Sequence, residues 1–307
     1  MIRTSIWIAW AALAACKPEL GDPTSLVTEP RILAVRSDPP EVAPDHAVAY
    51  QALLASPEGA VSPDIAWGFC AEPAPLSSNN VASDGCVYSA PSLAPRGPQI
   101  DTAIPIGACS VFGPTPPAPL PGQPTLRPHD ADVTGGYYQP IRALAQLDGV
   151  QLPPTIGLTR ITCDLPDVSI DIVKDFHARY HANQNPTLVD VVALGADRTA
   201  HAMTEPVAPR TAVTLRASWT ADSAESYPAL DPQTRGLVDH REAIRVSWFV
   251  SGGSLASDRS GRGEAETETF ADDVWTTPDA GPAYLWVVVR DSRGGVAFAG
   301  YTVDVHP

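Results

Sequence analysis

The sequence predicts an all-β protein built as two sandwich domains joined by one short helix. Three observations carry this. The 307 residues include 33 prolines and 22 glycines, which break the chain into turns and exclude long helices. Short stretches rich in Val, Ile, Thr and aromatic residues alternate with turn residues along most of the chain, the pattern of strands in sandwiches. The clearest helical period is confined to residues 168–182. The length suits two ordinary domains, and a hydrophobic share of 44% is that of a globular chain.

The chain begins with Arg3 and an apolar run from Ile6 to Ala14, ending on Leu13, Ala14, Ala15 and Cys16. A positive start, a short apolar core and small residues before a cut are the parts of a secretory signal peptide. The run falls well short of the roughly 20 residues that span a bilayer. Small residues directly before a cysteine make this stretch resemble the lipobox of bacterial lipoproteins. The resemblance implies removal of residues 1–15 and a diacylglyceryl group on the Cys16 sulfur. The membrane would then be a partner through that lipidated cysteine, each buried methylene contributing about 0.8 kcal/mol. In that family an Asp after the cysteine retains the protein in the inner membrane. Lys17 stands there instead, which implies lipid anchoring in the outer membrane, facing periplasm or surface. Residues 16–29 are expected to form a flexible tether.

Charged residues are 18% of the chain and the net charge is -15, with Lys17 and Lys174 the only lysines. Such a surface repels polyanions, so nucleic-acid partners are excluded. Beyond Cys16 the cysteines are Cys70, Cys86, Cys109 and Cys163. An even set in a secreted chain reads as disulfides, and three pairings are open. Pairing Cys70 with Cys86 closes a local loop of turn residues and leaves Cys109 with Cys163 for a longer closure, the arrangement preferred here. No Cys-x-x-Cys spacing supports a metal site.

In the first domain, expected over 30–166, residues 31–36 read as a strand, 38–45 as a proline-bounded turn and 48–54 as a second strand. Residues 65–70 form a third, with Ile65, Trp67 and Phe69 on one face. This order resembles the start of bacterial immunoglobulin-like domains, which implies that Trp67 packs between two sheets. Residues 71–101 read as an elaborated loop, 103–109 as an edge strand at best, and 114–124 as a polyproline run within the loop that Cys109 and Cys163 close. Residues 137–143 and 157–163 supply later strands.

The linker helix is expected within 167–184. Ile172, Val173, Phe176 and Tyr180 share its apolar face, Asp167 or Ser169 is placed to cap it, and residues 183–186 stop it. His177 and His181 lie four apart with Asp171 and Asp175 near. That spacing lacks the Glu of a zincin motif and reads as a solvated face.

In the second domain, expected over 185–307, strands are predicted at 187–194, 213–219, 244–250, 283–290 and 296–305. A long polar loop is expected at 220–240 and an edge strand at 264–270, with Glu264, Glu266 and Glu268 turned to solvent. Residues 291–295 form a glycine-bearing hairpin turn. Ser247 and Trp248 ahead of Gly252 and Gly253, Trp275 ahead of Pro278, and Trp286 ahead of Asp291 and its glycine pair are similar to bacterial immunoglobulin-like and PKD-like modules. The expected fold is therefore all-β, two immunoglobulin-like β-sandwich domains joined by a short helix behind an N-terminal lipoprotein signal peptide.

No Gly-x-Ser-x-Gly, Walker or zincin motif occurs, and no catalytic residue is assigned. Calcium is the one cofactor weighed, on Asp222, Asp258, Asp272, Asp273 and Asp291. No EF-hand spacing supports it, and no cofactor is expected. The chain thus reads as a non-enzymatic envelope lipoprotein, a structural or protein-interaction module with an envelope protein partner. The alternative is a carbohydrate-binding lipoprotein, with Tyr88 and Tyr227 lining one groove.

Overall fold

The computed structural model describes residues 23–59, 61, 63–74, 82–114, 132–231 and 233–307. Cys16, the expected signal peptide and most of the polyproline run lie outside the described residues. The first domain contains β1 (Arg31–Asp38), β2 (Glu41–Val42), β3 (Ala47–Ala55), β4 (Asp64–Phe69), β5 (Gln99–Ala103), β6 (Tyr137–Leu147), β7 (Val150–Gln151) and β8 (Thr155–Ile161). Its sheets run β1-β3-β5 and β2-β8-β6-β4. The chain turns at Pro39 and Pro40 between β1 and β2, so the first strand is split between the sheets. Its second half lies parallel to β8. A split first strand, with β4, β6 and β8 together on the opposite sheet, is the immunoglobulin-like plan. Trp67 is fully buried in this core and its indole N–H donates to the Gly97 carbonyl at 2.8 Å.

The second domain contains β9 (Leu188–Leu194), β10 (Ala200–Ala202), β11 (Ala212–Trp219), β12 (Ser226–Leu230), β13 (Leu237–Arg241), β14 (Ile244–Val250), β15 (Ser254–Leu255), β16 (Arg259–Arg262), β17 (Phe270–Thr276), β18 (Gly281–Arg290) and β19 (Val296–Val305). One sheet runs β10-β9-β11-β17-β15 and the other β16-β14-β18-β19, with β12 and β13 paired as a separate hairpin. Trp248 and Trp275 are fully buried, and their indole N–H groups donate to Ser260 Oγ at 2.9 Å and the Gly252 carbonyl at 3.0 Å. Buried indoles satisfied in this way are core packing, as the sequence implied.

The two sandwiches are stacked face to face. The sheet holding β1 and β3 turns Leu33, Leu53 and Ala55 outward onto Phe249, Tyr284 and Trp286 of the second domain. Beside them Ala34 meets Val288, Val296 and Phe298. A register shift between Ile32 and Ala34 lets Ile32 and Val35 fill the first core while Leu33 and Ala34 face the neighbour. The sheet of β14, β18 and β19 is thus buried on both faces. This explains why Leu285 to Val289 is an unbroken apolar run where a one-faced strand alternates. A large apolar contact of this kind holds domains fixed rather than hinged.

Several expectations are corrected. Within the tether expected over 16–29, residues 25–27 are held against the second domain: the Val27 N–H donates to the Val250 carbonyl at 2.8 Å, and the Val250 N–H to the Ser25 carbonyl at 2.9 Å. Val27 is fully buried with Ala55 and Trp286, because an apolar pair, Leu26 and Val27, meets free backbone at the end of β14. The loop expected at 71–101 holds a helical turn, α1 (Asp84–Ser89), and β5. Of residues 103–109, expected as an edge strand, only Ala103 is in one, as the end of β5. The rest turn at Pro105 into α2 (Ala108–Phe112). The loop expected at 220–240 is largely the β12–β13 hairpin. Residues 264–269 are not a strand, because the Gly263 N–H donates to Glu266 Oε2 at 2.7 Å and closes a turn there. The three glutamates are exposed.

The helix, α3, spans Ile170–Arg179, capped by Ser169, whose Oγ accepts the Ile172 N–H at 3.4 Å. It ends before 182 because the chain from Tyr180 onward is drawn into contacts with both domains. His181 therefore lies off the helix, and its four-residue spacing from His177 does not place the two on one helical face.

Candidate functional site: the seam between the sandwiches

Where the two domains meet the linker, the structure buries a network of charged groups. Glu41 on β2 and Arg160 on β8 come from the first domain. Tyr180 and Asn183 come from the linker, Glu225 and Glu242 flank the β12–β13 hairpin, and Asp291 and Arg293 sit in the turn between β18 and β19. Pro39 and Pro40 deliver Glu41 to the domain edge, and the tight turn after β18 projects Arg293 towards it.

Arg293 is 1% exposed. Its Nε donates to Glu242 Oε1 and its Nη2 to Glu225 Oε2, both at 2.7 Å, while Nη1 donates to the His181 carbonyl at 3.0 Å. The guanidinium lies 4.5 Å from the centre of the Tyr227 ring. Arg160 Nε lies 3.3 Å from Glu41 Oε2, and its Nη1 donates to Thr134 Oγ1 at 2.7 Å and the Tyr138 hydroxyl at 3.2 Å. Tyr180 joins the two halves: its hydroxyl donates to Glu41 Oε2 at 2.6 Å and accepts from Arg160 Nε at 3.1 Å and Arg293 Nη1 at 3.3 Å. The Asn183 N–H donates to Glu41 Oε2 at 2.9 Å, and its amide donates to Asp291 Oδ1 at 3.2 Å.

Charge does not balance here. Two guanidiniums face the buried carboxylates Glu41, Glu242 and Asp291, with Glu225 a partly exposed fourth. Burial, reinforced by the Asp291 charge and opposed by Arg293, pushes the Glu242 carboxyl up to about 7. Burial pushes Asp291 up to about 6 against the bonds it accepts from Gly295, Asn183 and Arg293. Burial raises Tyr180 to about 12. At Arg293 burial works against the cation, and Glu242 and Tyr180 together outweigh it.

Two glycines make room for these side chains. A Cβ on Gly136 would overlap the Arg160 guanidinium, and one on Gly295 would overlap the Asp291 carboxylate. Gly295→Ala is therefore expected to cost about 1–3 kcal/mol, as overpacking does. Urea unfolding checks it, with Gly236→Ala, whose Cβ would meet only Thr234 Oγ1, at 3.6 Å, as a comparison for backbone effects alone.

The remaining predicted residues lie elsewhere. Cys70 bonds Cys86, fixing α1 to the end of β4, and Cys109 bonds Cys163, fixing α2 beyond β8; this is the preferred pairing. Of the calcium candidates, Asp272 pairs with Arg216 at 2.7 Å, Asp291 belongs to the seam and Asp222 is exposed. Among the described residues no three His, Cys, Asp or Glu side chains are grouped to hold a metal. No helix among the described residues is long and apolar enough to cross a membrane. Tyr88 is 77% exposed but Tyr227 only 3%, under Arg293, so they do not line a groove together. The sequence reading missed Glu41, Arg160, Glu242 and Arg293. One signal was there: Arg160 interrupts an otherwise uncharged strand.

No protein-family model and no curated protein matches the chain. Solved structures similar to it include the D0-D1 domain of intimin, at 12% identity over 90% of this chain and 99% of that one with a TM-score of 0.24. Fibronectin(III)-like modules of CbhA from Clostridium thermocellum match at 11% identity over 92% of each chain, TM-score 0.25. Domains 4 and 5 of the S-layer protein SbsC match at 9% identity over 90% and 100%, TM-score 0.21. Scores this low carry no functional argument, and the immunoglobulin-like assignment rests on the strand order.

Proposed function

We propose that the chain is a non-enzymatic structural or protein-interaction module of the bacterial envelope, held to the outer membrane by a lipid on Cys16. The observation that supports it is the seam. Two sandwiches share a doubly buried sheet and a charged junction, so the described body is a stiff spacer rather than a pair of hinged domains. The buried acids and bases are consumed by one another, which is unlike a catalytic constellation. Purification from native membranes, with intact mass analysis and crosslinking, tests this reading. A Cys16-acylated mass and one stable protein neighbour support it. An unprocessed chain in the cytosol overturns it.

A second reading, binding of a neutral glycan, keeps one supporting observation. A cleft of about 320 Å³ opens between the sandwiches, lined by Gln51, Tyr284, Trp286, Phe298 and Tyr301 with no acid or base among its lining residues. Aromatic rings with neutral polar groups suit sugar rings. A glycan array probed with the full chain separates the readings.

A further inference from the structure

The seam buries more negative than positive charge, and it does so where three parts of the chain meet. We propose that it is a proton-operated latch: one proton held on the Glu242 and Asp291 carboxyls keeps the two sandwiches and the linker closed, and its loss as the solution passes from acid through neutral loosens them.

The geometry supports this in three ways. Glu242 pairs with the Arg293 cation, accepting from its Nε at 2.7 Å, while Asp291 accepts from the uncharged backbone N–H groups of Arg293 at 2.9 Å and Gly295 at 2.8 Å. That cation is also claimed by Glu225 and lies 3.9 Å from Glu41. The other cation, Arg160, is turned to Glu41, Thr134 and Tyr138. The neutral groups packed around the pair are Tyr138, Tyr180, Tyr227 and Asn183, and none of them supplies positive charge. His181 reaches the seam through its carbonyl, and His240 stacks on the outer side of Tyr227 with ring centres 5.9 Å apart. Full ionisation therefore leaves three buried carboxylates on two guanidiniums, and a single proton restores the balance.

The sign follows from linkage. Both carboxyls lie above their ordinary values in the closed state, so closure takes up a proton. The stabilisation is fully present below the carboxyls' ordinary range and is lost as pH rises through about 6 for Asp291 and about 7 for Glu242. Loss of the proton strains the contacts of Glu41 and Arg293 with residues 180–183, the only covalent route between the domains.

The test uses the full chain at constant ionic strength, from about pH 5 to about pH 9, the window that linkage sets. Wild type is compared with Glu242→Gln and with Glu29→Gln, an exposed carboxylate outside the seam. The melting temperature of wild type and of Glu29→Gln is expected to fall across the window, and that of Glu242→Gln to fall much less. Protease cleavage within residues 181–187 is expected to accelerate several-fold in wild type over the same range. If Glu242→Gln does not fold, carbon-13 titration of the Glu242 and Asp291 carboxyls in wild type decides. Equal pH slopes in folded Glu242→Gln and wild type, unchanged cleavage, or both carboxyls titrating in the ordinary acid range would overturn the latch.

Discussion

Arg293→Ala is expected to destabilise the folded protein by about 3–5 kcal/mol, the cost of breaking a buried ion pair from one side. The variant leaves Glu242, which is 1% exposed, without its cation. Glu225, the His181 carbonyl and the Tyr227 ring lose their partner in the same step. Arg293→Met keeps much of the volume and still leaves the carboxylates bare, so it is expected to behave like the alanine variant. Combining Arg293→Met with Glu242→Gln is expected to recover part of the loss, because it is the orphaned charge that costs. Guanidinium chloride unfolding checks all three variants. A loss within about 0.5 kcal/mol, typical of an exposed substitution, would show that the seam does not carry the load assigned to it.

Trp286→Ala is expected to cost a further, independent amount of about 3–5 kcal/mol, as large aromatic truncations do. Its indole fills the space between the sandwiches, against Val27, Ala55 and Tyr284. Gly300 on the neighbouring strand makes room for it, since a Cβ there would sit 3.1 Å from the Trp286 ring. Truncation removes the largest side chain from the contact between domains while leaving Trp67 and Trp248 in the two cores. Calorimetry is expected to show one cooperative transition in wild type and two resolved ones in the variant, as each sandwich melts on its own. Trp248→Ala, which empties a core, is expected to lower stability without separating the transitions in this way.

The strands that alternate were legible because one face of each meets a core and the other meets solvent or a polar edge. Ile244 to Val250 is the plain case: Ile244, Val246, Trp248 and Val250 all point inward. Phe249 shows where the pattern stops informing. It reads as the exposed partner of that alternation, yet it packs on Leu33 and Leu53, which lie far earlier in the chain. Only the tertiary stack determines that. The hairpin at 226–241 was hidden because Pro228 and the polar residues around it look like a loop, while Tyr227 and Ala229 are held inward by the seam. The charged network was hidden for a similar reason. Glu41 and Arg293 are separated by most of the chain, each stands among turn residues, and a charge beside a turn ordinarily faces water. Nothing local distinguishes them from Asp45 or Arg235, which lie in exposed turns. The cysteines could be read as disulfides from their even number, but their pairing required the positions of α1 and α2.

The short segment from Ser25 to Val27 has a mechanical consequence. It lies along β14 of the second domain before the chain goes on to build the first domain. A pull applied ahead of residue 25 is therefore borne first by two backbone hydrogen bonds to Val250 and by the wedged Val27 side chain. Only after that catch gives way does the force reach β1. Under such a load the segment would peel away from Val250 before either sandwich is pulled apart.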